Sequence, residues 1–202
     1  MIERRAEAVR AFKAISGLTA KIRIQQDQTI CEREVFYLSP SFWRVEDDQG
    51  LLLLNTPDTH VSRAEDGNLR LWRPRQLWVP DEEIGYLGWG HPEFLMGGAL
   101  VDADPKPRPH QTTGRPIHAE VYDMQGKQCA LETDIELGIV LTQSTDGTYT
   151  STVIDLEVEP KFPADCFNTT SFSDLQIADQ GDEEWASAVE EEEERTTFWF
   201  AP

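Results

Sequence analysis

Cysteine, basic residues and long apolar runs are all scarce in this sequence of 202 residues. The three cysteines, Cys31, Cys129 and Cys166, are an odd number at wide spacings, which argues against a disulfide framework and favours a reducing compartment. Eighteen lysines and arginines stand against 37 aspartates and glutamates, for a net charge of −19. A field of that sign repels phosphate backbones, so we expect no nucleic-acid partner. No apolar run approaches the roughly 18 residues that would predict a membrane span.

The beginning of the chain also lacks a recognisable export signal. The stretch MIERRAEAVRAFKAISG contains arginines but no apolar segment and no small-residue cleavage site. If Met1 is the natural start, we expect a cytoplasmic protein. A chain from which a signal had been removed would look the same.

The spacing motifs that mark common enzymes are missing from the sequence. There is no GxSxG nucleophile elbow, no GxxxxGK(S/T) phosphate-binding loop and no HExxH zinc motif. Gly85, Gly88 and Gly90 follow one another in the wrong order for a dinucleotide fingerprint, which favours a flexible loop. We therefore predict a protein that is not an enzyme, with no catalytic residue and no cofactor.

Histidine and cysteine leave two alternatives open. His118 and Glu120 fall on one face of a predicted strand and would suit two metal ligands, although such a pair occurs readily by chance. Cys166 with His110 or His118 would suit a nucleophilic dyad, against the more common role of a buried structural cysteine. We predict no metal site and a structural cysteine.

Hydrophobic periodicity predicts a helix followed by a series of short strands. Apolar residues recur at helical spacing over residues 2–16, and Gly17 is the predicted C-terminal cap of that helix. From Leu18 the period changes to two, and turns such as Asp66-Gly67 separate the short apolar segments. The predicted strands of this first half are AKIRIQ, EVFYLS, FWRVED, LLLLN, THVSRAE and NLRLW.

The middle of the chain interrupts this rhythm, and strands then resume. Residues 73–116 contain seven prolines and six glycines, which predict a crossover with one short helix, PEFLMGGAL (92–100), and a proline-stiffened loop. The strands predicted after this interruption are IHAEVYDM, QCALETD, IVLTQST and TYTSTVIDLEVE. The order predicts antiparallel pairing on both sides of the insert.

Two stretches of the sequence carry a family resemblance. VFYLSPSFWRVEDDQG (35–50) is similar to the strand, proline kink and aromatic–arginine strand of the LolA/LolB-like superfamily of bacterial lipoprotein carriers. CALETDIELGIVLTQSTDGTYTSTVIDLEVEPKFPADCF (129–167) is similar to the superfamily's D-x-x-x-G turn, its apolar and long strands, and its closing segment. The chain most resembles the RseB-like and actinobacterial members.

This resemblance implies a mainly β (α+β) fold. Its expected form is a strongly curved antiparallel sheet, an open half-barrel, with the N-terminal helix and the short mid-chain helix packed on the concave face. In FWRVED, Trp43 and Val45 should share one face while Arg44 and Glu46 share the other. The LLLLN strand is apolar on both faces, which predicts that a helix or a partner covers its outer side.

Hydrophobic side chains are the candidate ligand-binding surface. The stretch IGYLGWGHPEFLMGGAL (84–100) combines large apolar residues with glycine hinges and would suit a lid over a lipid-like cavity. The alternative is that the same segment fills the half-barrel and completes its core. The residues assigned to ligand binding are Trp43, Val45, Leu69, Leu71, Trp89, Phe94, Leu95 and Met96.

The C-terminal region differs in composition from the rest of the chain. Residues 174–202 hold ten acidic residues and one basic residue, and the chain ends in an aromatic segment that is costly to leave in water. We predict a half-barrel domain over residues 1–168 and an acidic extension over residues 169–202. We expect this aromatic end to dock either on the chain's own sheet as a final strand, which is the favoured alternative, or on a partner. The residues assigned to partner binding are Trp185, Phe198, Trp199 and Phe200.

Together these features predict a non-catalytic binding protein with two alternative kinds of partner. The first is a hydrophobic, lipid-like ligand or a lipid-modified partner held in the half-barrel. The second is a protein partner, with the filled fold acting as an RseB-like regulatory platform or as an acidic neutralising protein.

Overall fold

A computed structural model of the protein describes residues 2–39, 42–64, 66–72, 99–124, 126–145, 147–169, 172 and 176–177. These residues form one helix, α1 (Ile2–Ala14), and thirteen strands. The strands are β1 (Gly17–Gln26), β2 (Thr29–Leu38), β3 (Phe42–Asp47), β4 (Gly50–Asn55), β5 (His60–Arg63), β6 (Leu69–Trp72), β7 (Ala99–Ala103), β8 (Arg108–Pro109), β9 (Pro116–Met124), β10 (Lys127–Asp134), β11 (Val140–Thr145), β12 (Tyr149–Val158) and β13 (Gln176–Ile177).

All thirteen strands belong to one sheet with the order β13-β6-β5-β4-β3-β2-β1-β12-β11-β10-β9-β7, and β8 pairs separately with β9. Every pairing is antiparallel except that of β13 with β6, which is parallel. The two ends of the order do not pair with each other, so the sheet is not closed. The predicted fold class, a mainly β open half-barrel, is confirmed.

The central pairing joins the two halves of the chain. β1 pairs with β2 along its whole length and with β12 from Leu18 to Gln26. Alternation in β1 buries Leu18, Ala20, Ile22 and Ile24 and leaves Lys21 and other polar residues exposed. We call the side of the sheet that carries these four apolar residues the inner face, because α1 packs against it through Phe12.

Helix α1 ends earlier than its sequence pattern predicts. The helix stops at Ala14, and Gly17 is the first residue of β1, paired with Leu38, so its predicted role as a helix cap is wrong. A Cβ atom at position 17 would lie 3.0 Å from the Phe162 ring and 3.1 Å from the carbonyl oxygen of Tyr37. Close packing of this strand, and not the end of the helix, is therefore what requires glycine here.

The turn between β10 and β11 supports α1. Asp134 is fully buried, and its Oδ1 accepts hydrogen bonds from the amides of Glu136 (2.8 Å) and Leu137 (2.9 Å). Arg115 Nε donates to the other carboxylate oxygen. Gly138 closes the turn at φ +69°, where a Cβ atom would overlap the backbone of Ala8 in α1. The D-x-x-x-G motif thus makes room for the helix.

One predicted element, the mid-chain helix, differs from the observed fold at its end. Ala99 and Leu100, the end of the predicted mid-chain helix, belong to β7 and pair with Asp123 and Tyr122 of β9. The remaining residues of that predicted helix, 92–98, lie outside the described residues. Ile177 of β13 pairs with Leu71 of β6, and the predicted division of the chain at residue 168 stays a prediction.

Candidate functional site: the inner face of the sheet

One half of the inner face is filled by aromatic packing. The Phe12 ring of α1 stacks on Tyr37 with 5.4 Å between ring centroids, and Tyr37 lies 4.5 Å from the Trp43 ring. All three side chains are buried, and Trp43 is only 3% exposed. Burial also raises the pKa of the Tyr37 hydroxyl above its usual value. This half of the face is a packed core.

The residues predicted to bind a ligand lie on both faces of the sheet. Trp43 and Val45 belong to the core of the inner face. Across the strands, Arg44 pairs with Leu54, Leu54 with Val61, and Val61 with Leu71. Leu69 lies two residues before Leu71 on β6 and therefore on the same face. Because cross-strand partners share a face, the two leucines lie opposite to Trp43 and Val45. The four residues do not form one surface.

Segment 160–172 covers the outer side of β4, which explains the apolar LLLLN strand. Leu51, Leu54 and Val61 form a second buried cluster with Leu69, Leu71, Phe167 and Phe172 packed against it. The Phe42 ring of β3 makes an edge contact with Phe167, with ring centroids 5.8 Å apart. Leu53 points to the inner face, so both faces of β4 are buried. The predicted helix or partner is here a segment of the same chain.

Arg44 fastens this segment to the sheet. Its Nη1 donates to the carbonyl oxygen of Cys166 at 2.8 Å, and its guanidinium lies 5.7 Å from the centre of the Phe172 ring. The rest of the guanidinium is bound by Glu46, as the shared outer face of these two residues predicted. Burial raises the pKa of the Cys166 thiol, which opposes formation of a nucleophilic thiolate.

The other predicted site residues lie outside the part of the chain that the structure describes. Their assignments to ligand or partner binding therefore stay predictions. They are Trp89, Phe94, Leu95, Met96, Trp185, Phe198, Trp199 and Phe200.

The other half of the inner face carries buried polar side chains. Gln143 of β11 lies between Leu131 of β10 and Ser151 of β12, and Ser151 pairs with Ile24 of β1. Gln143 is 5% exposed and Ser151 is fully buried. Leu131 and Ile24 belong to two different apolar clusters, so the polar pair interrupts the apolar surface between them.

A carboxylate extends the same row toward the edge of the sheet. Glu120 of β9 pairs with Leu131 and is 9% exposed. The hydroxyl of Tyr122 donates to its Oε2 at 2.7 Å. The buried carboxyl group of Glu120 therefore lies two strands away from Gln143 and accepts a hydrogen bond from an uncharged tyrosine hydroxyl.

A recess of about 220 Å³ opens beside this polar row, at the end of the β1–β2 hairpin. Its lining residues are Ile24, Gln26, Asp27, Thr29 and Cys31. Ile24 connects the two features, because it also lies directly opposite Ser151. The volume is below the roughly 300–1,000 Å³ of drug-sized ligand sites, so it suits a head group or a short chain.

Two of the three described histidines, His60 and His110, are buried. Both ring nitrogens of His110 are engaged: Nδ1 lies 3.0 Å from Thr113 Oγ1, and Nε2 lies 2.9 Å from Thr142 Oγ1. Burial lowers the pKa of His110, and burial lowers that of His60 to about 4. Across the described residues, no three His, Cys, Asp or Glu side chains come together as metal ligands.

Sequence reasoning missed Gln143 and Ser151. A local signal exists, because Gln143 follows the buried Leu141 at the spacing of one strand face. That alternation alone does not show which face is buried, and the neighbouring Thr142 is equally polar. Only the pairing with β10 and β12 places the glutamine between two apolar clusters.

No protein-family pattern matches the sequence, and no curated protein matches it. Among solved structures, the crystal structure of MucB matches with a TM-score of 0.53 and 13% identity, over 88% of this chain and 64% of MucB. The Pseudomonas aeruginosa MucA/MucB complex matches with a TM-score of 0.49 and 12% identity, over 84% of this chain and 60% of the matched chain. A DUF1329 family protein from Desulfovibrio piger matches with a TM-score of 0.35 and 8% identity, over 84% of this chain and 98% of that protein.

The likeness to MucB concerns the fold. MucB has an RseB-like, LolA/LolB-like fold, so the resemblance predicted from the two sequence stretches is confirmed for the architecture. This chain spans about 64% of the length of the MucB chain that it matches. Among the described residues, no helix is long and apolar enough to cross a membrane.

Proposed function

We propose that this chain is a non-enzymatic binding protein that holds an amphiphilic, lipid-like ligand at the polar half of its inner face. The observation that carries the proposal is the buried pair Gln143 and Ser151, set between two apolar clusters beside a recess. An apolar surface interrupted by hydrogen-bonding groups is the usual composition of a small-molecule site. The half-barrel fold is compatible with such a role.

Binding of an uncharged apolar dye tests this proposal. We expect Nile red to bind the wild-type protein with micromolar-order affinity, roughly −8 kcal/mol. Thr29→Trp should weaken binding at least several-fold, because Thr29 lines the recess and is exposed enough to carry a larger ring. Ile30→Trp is the matched control, since Ile30 is the next residue, 61% exposed, and points to the opposite face.

Two results would count against ligand binding. One is the absence of dye binding by the wild-type protein at millimolar protein concentration. The other is equal binding by the Thr29→Trp and Ile30→Trp variants, each with an unchanged circular dichroism spectrum, because the dye would then lie outside the recess.

A second function is favoured by a different observation. The contact of Phe12 with Tyr37, and of Tyr37 with Trp43, fills the inner face under α1, as expected for a rigid platform that binds a protein. Native mass spectrometry of the protein purified from its own host separates the two functions. A co-purifying lipid would support the first, and a stoichiometric protein would support the second.

The cellular location stays a proposal as well. Cys31, Cys129 and Cys166 form no disulfide with one another, which suits the predicted reducing, cytoplasmic environment. Fractionation of the host with an antibody against the chain would test it, and recovery outside the cytoplasm would show that the prediction is wrong.

A further inference from the structure

Two buried oxygen atoms on the inner face have no hydrogen-bond partner among the described residues. They are Oε1 of Gln143 and Oγ of Ser151. Both side chains are more than nine-tenths buried. Buried polar groups in proteins are nearly always paired, so the partners of these two atoms are to be sought outside the described residues.

The register places these two atoms on the same face of neighbouring strands. Gln143 lies directly opposite Ser151 in the pairing of β11 with β12. Directly opposed residues have Cβ atoms roughly 4.5–5.5 Å apart, so one ligand group can contact both side chains. Gln143 and Ser151 therefore form one site.

The chemistry of the two side chains defines what the ligand must bring. The Gln143 oxygen only accepts hydrogen bonds, whereas its amide nitrogen only donates, and a serine hydroxyl does either. A carboxamide matches this set, because its N–H donates to Gln143 Oε1 while its oxygen accepts from the Ser151 hydroxyl. A carboxylate of the same shape has no N–H to offer.

Charge also selects against an anion at this position. Glu120 lies in the same row of the sheet with its carboxylate buried, and the chain carries a net charge of −19. A ligand carboxylate at Gln143 would lie two strands from the Glu120 carboxylate. Water and salt screen buried charges little, so the two negative groups would repel each other. The site thus favours a neutral head group over its acidic counterpart.

The apolar neighbours complete the ligand. Leu131 lies on one side of the polar pair and Ile24 on the other, and Ile24 also lines the recess. An alkyl chain can contact these residues while its head group pairs with Gln143.

We propose that Gln143 and Ser151 bind the carboxamide group of a small amphiphile whose alkyl chain lies along Ile24 toward the recess. This inference rests on the proposed ligand-binding function and adds the chemistry of the head group. It assigns to Gln143 and Ser151 the role of distinguishing a neutral amide head group from an acidic one.

Octanamide and octanoate test the proposal, because they have the same chain and nearly the same shape. In isothermal titration calorimetry with the full chain, octanamide should bind at least tenfold more tightly than octanoate, a difference of about 1.4 kcal/mol. Gln143→Leu and Ser151→Ala should each reduce octanamide affinity several-fold and leave Nile red binding nearly unchanged.

Matched controls come from residues that face away from the site. Gln25→Leu and Ser144→Ala make the same chemical changes at positions next to inner-face residues of β1 and β11. Both variants should bind octanamide like the wild-type protein. The wild-type comparison of the two ligands needs no variant, so it decides the matter even if Gln143→Leu fails to fold.

The outcomes separate this inference from the proposed function. If octanamide and octanoate bind equally, or if Gln143→Leu binds octanamide normally, the head-group assignment is wrong while ligand binding stands. If neither compound nor Nile red binds, both proposals fail, and Gln143 and Ser151 are polar residues of a closed core.

Discussion

Gly138 in the turn before β11 lies against the backbone of Ala8 in α1, so closely that a Cβ atom at position 138 would overlap the Ala8 carbonyl group. This contact is where the N-terminal helix rests on the far half of the sheet. It connects the first residues of the chain with a turn about 130 residues later, and it explains the glycine of the D-x-x-x-G motif by helix docking as well as by turn geometry.

Gly138→Ala should therefore destabilise the protein by more than the strain of its backbone angle. Gly147→Ala is the control, because Gly147 has nearly the same φ (+70° against +69°) and no atom lies within 4 Å of the point where its Cβ would be. The control should lose about 1–2 kcal/mol of unfolding free energy from the left-handed backbone. Gly138→Ala should lose about 1–3 kcal/mol more, from displacement of α1, as measured by urea denaturation. Equal losses would show that α1 does not depend on this contact.

The buried His60 should make stability fall in mild acid. Burial lowers its pKa to about 4 in the folded protein, against an ordinary value of 6.5. Between these two values the unfolded chain binds a proton that the folded protein does not, so unfolding becomes easier as the pH falls. The shift corresponds to about 3 kcal/mol between pH 7 and pH 4.

His60→Gln tests this by removing the titrating group. Unfolding free energies measured across pH 4–7 should fall less steeply for the variant than for the wild-type protein. Parallel curves would mean that the pKa of His60 in the folded protein stays near its ordinary value.

Asp47 should stabilise the end of β3 through two arginines. Arg63 Nη1 donates to Asp47 Oδ2 at 2.8 Å, and Arg33 Nη1 donates to the same oxygen at 3.2 Å. The Asp47 side chain is 8% exposed and the two arginines 11% and 17%, so this is a largely buried ion group. Asp47→Asn should cost about 3–5 kcal/mol near neutral pH, because it leaves buried guanidinium charge without its counter-ion.

The pH dependence of that cost follows from the Asp47 pKa. The hydrogen bond from Arg63, followed by other contacts, holds the pKa below its usual 3.8. The stabilisation is therefore complete above about pH 4 and disappears as the pH falls through the lower folded value. Asp48→Asn, at the neighbouring exposed position, should change the unfolding free energy by less than about 0.5 kcal/mol. Similar losses from both variants would contradict a special role for Asp47.

Loss of Arg44 should release segment 160–172 from the outer face. Arg44→Met removes the hydrogen bond to the Cys166 carbonyl and the contact with Phe172. Release of the segment relieves the burial that raises the pKa of the Cys166 thiol, whereas loss of the Arg44 charge removes an effect that lowers it. Because burial is the larger cause and release also exposes the sulfur, the thiol should react with a thiol reagent at least several-fold faster, as followed by mass spectrometry of labelled peptides.

Arg23→Met provides the comparison for this experiment. Arg23 of β1 is 53% exposed and forms an ion pair with Glu32 of β2. It lies six residues along β1 from Gly17, the residue of this strand that packs against Phe162 of the segment. Its removal should leave Cys166 labelling unchanged. An unchanged rate in Arg44→Met as well would mean that the aromatic contacts of Phe167 alone hold the segment.

The candidate site was less accessible to sequence reasoning than the fold. The alternation in FWRVED correctly separated Trp43 and Val45 from Arg44 and Glu46. The same reasoning placed Leu71 on the surface of Trp43, although the register puts it on the opposite face. The face of Leu71 is set by the pairing of Arg44 with Leu54, of Leu54 with Val61 and of Val61 with Leu71, and this register across four strands is not contained in the alternation of any one of them.

The sequence by itself determined the local elements of this protein. Period-two patterns and acidic or glycine turns predict β1 to β6 and β9 to β12, because alternation and turn chemistry act over a few neighbouring residues. Only the tertiary structure decided that β1 pairs with β12, that segment 160–172 covers LLLLN, and that Gln143 faces Ser151 between two apolar clusters. These relationships join residues far apart in the chain, and their energies depend on packing and register that no local pattern contains.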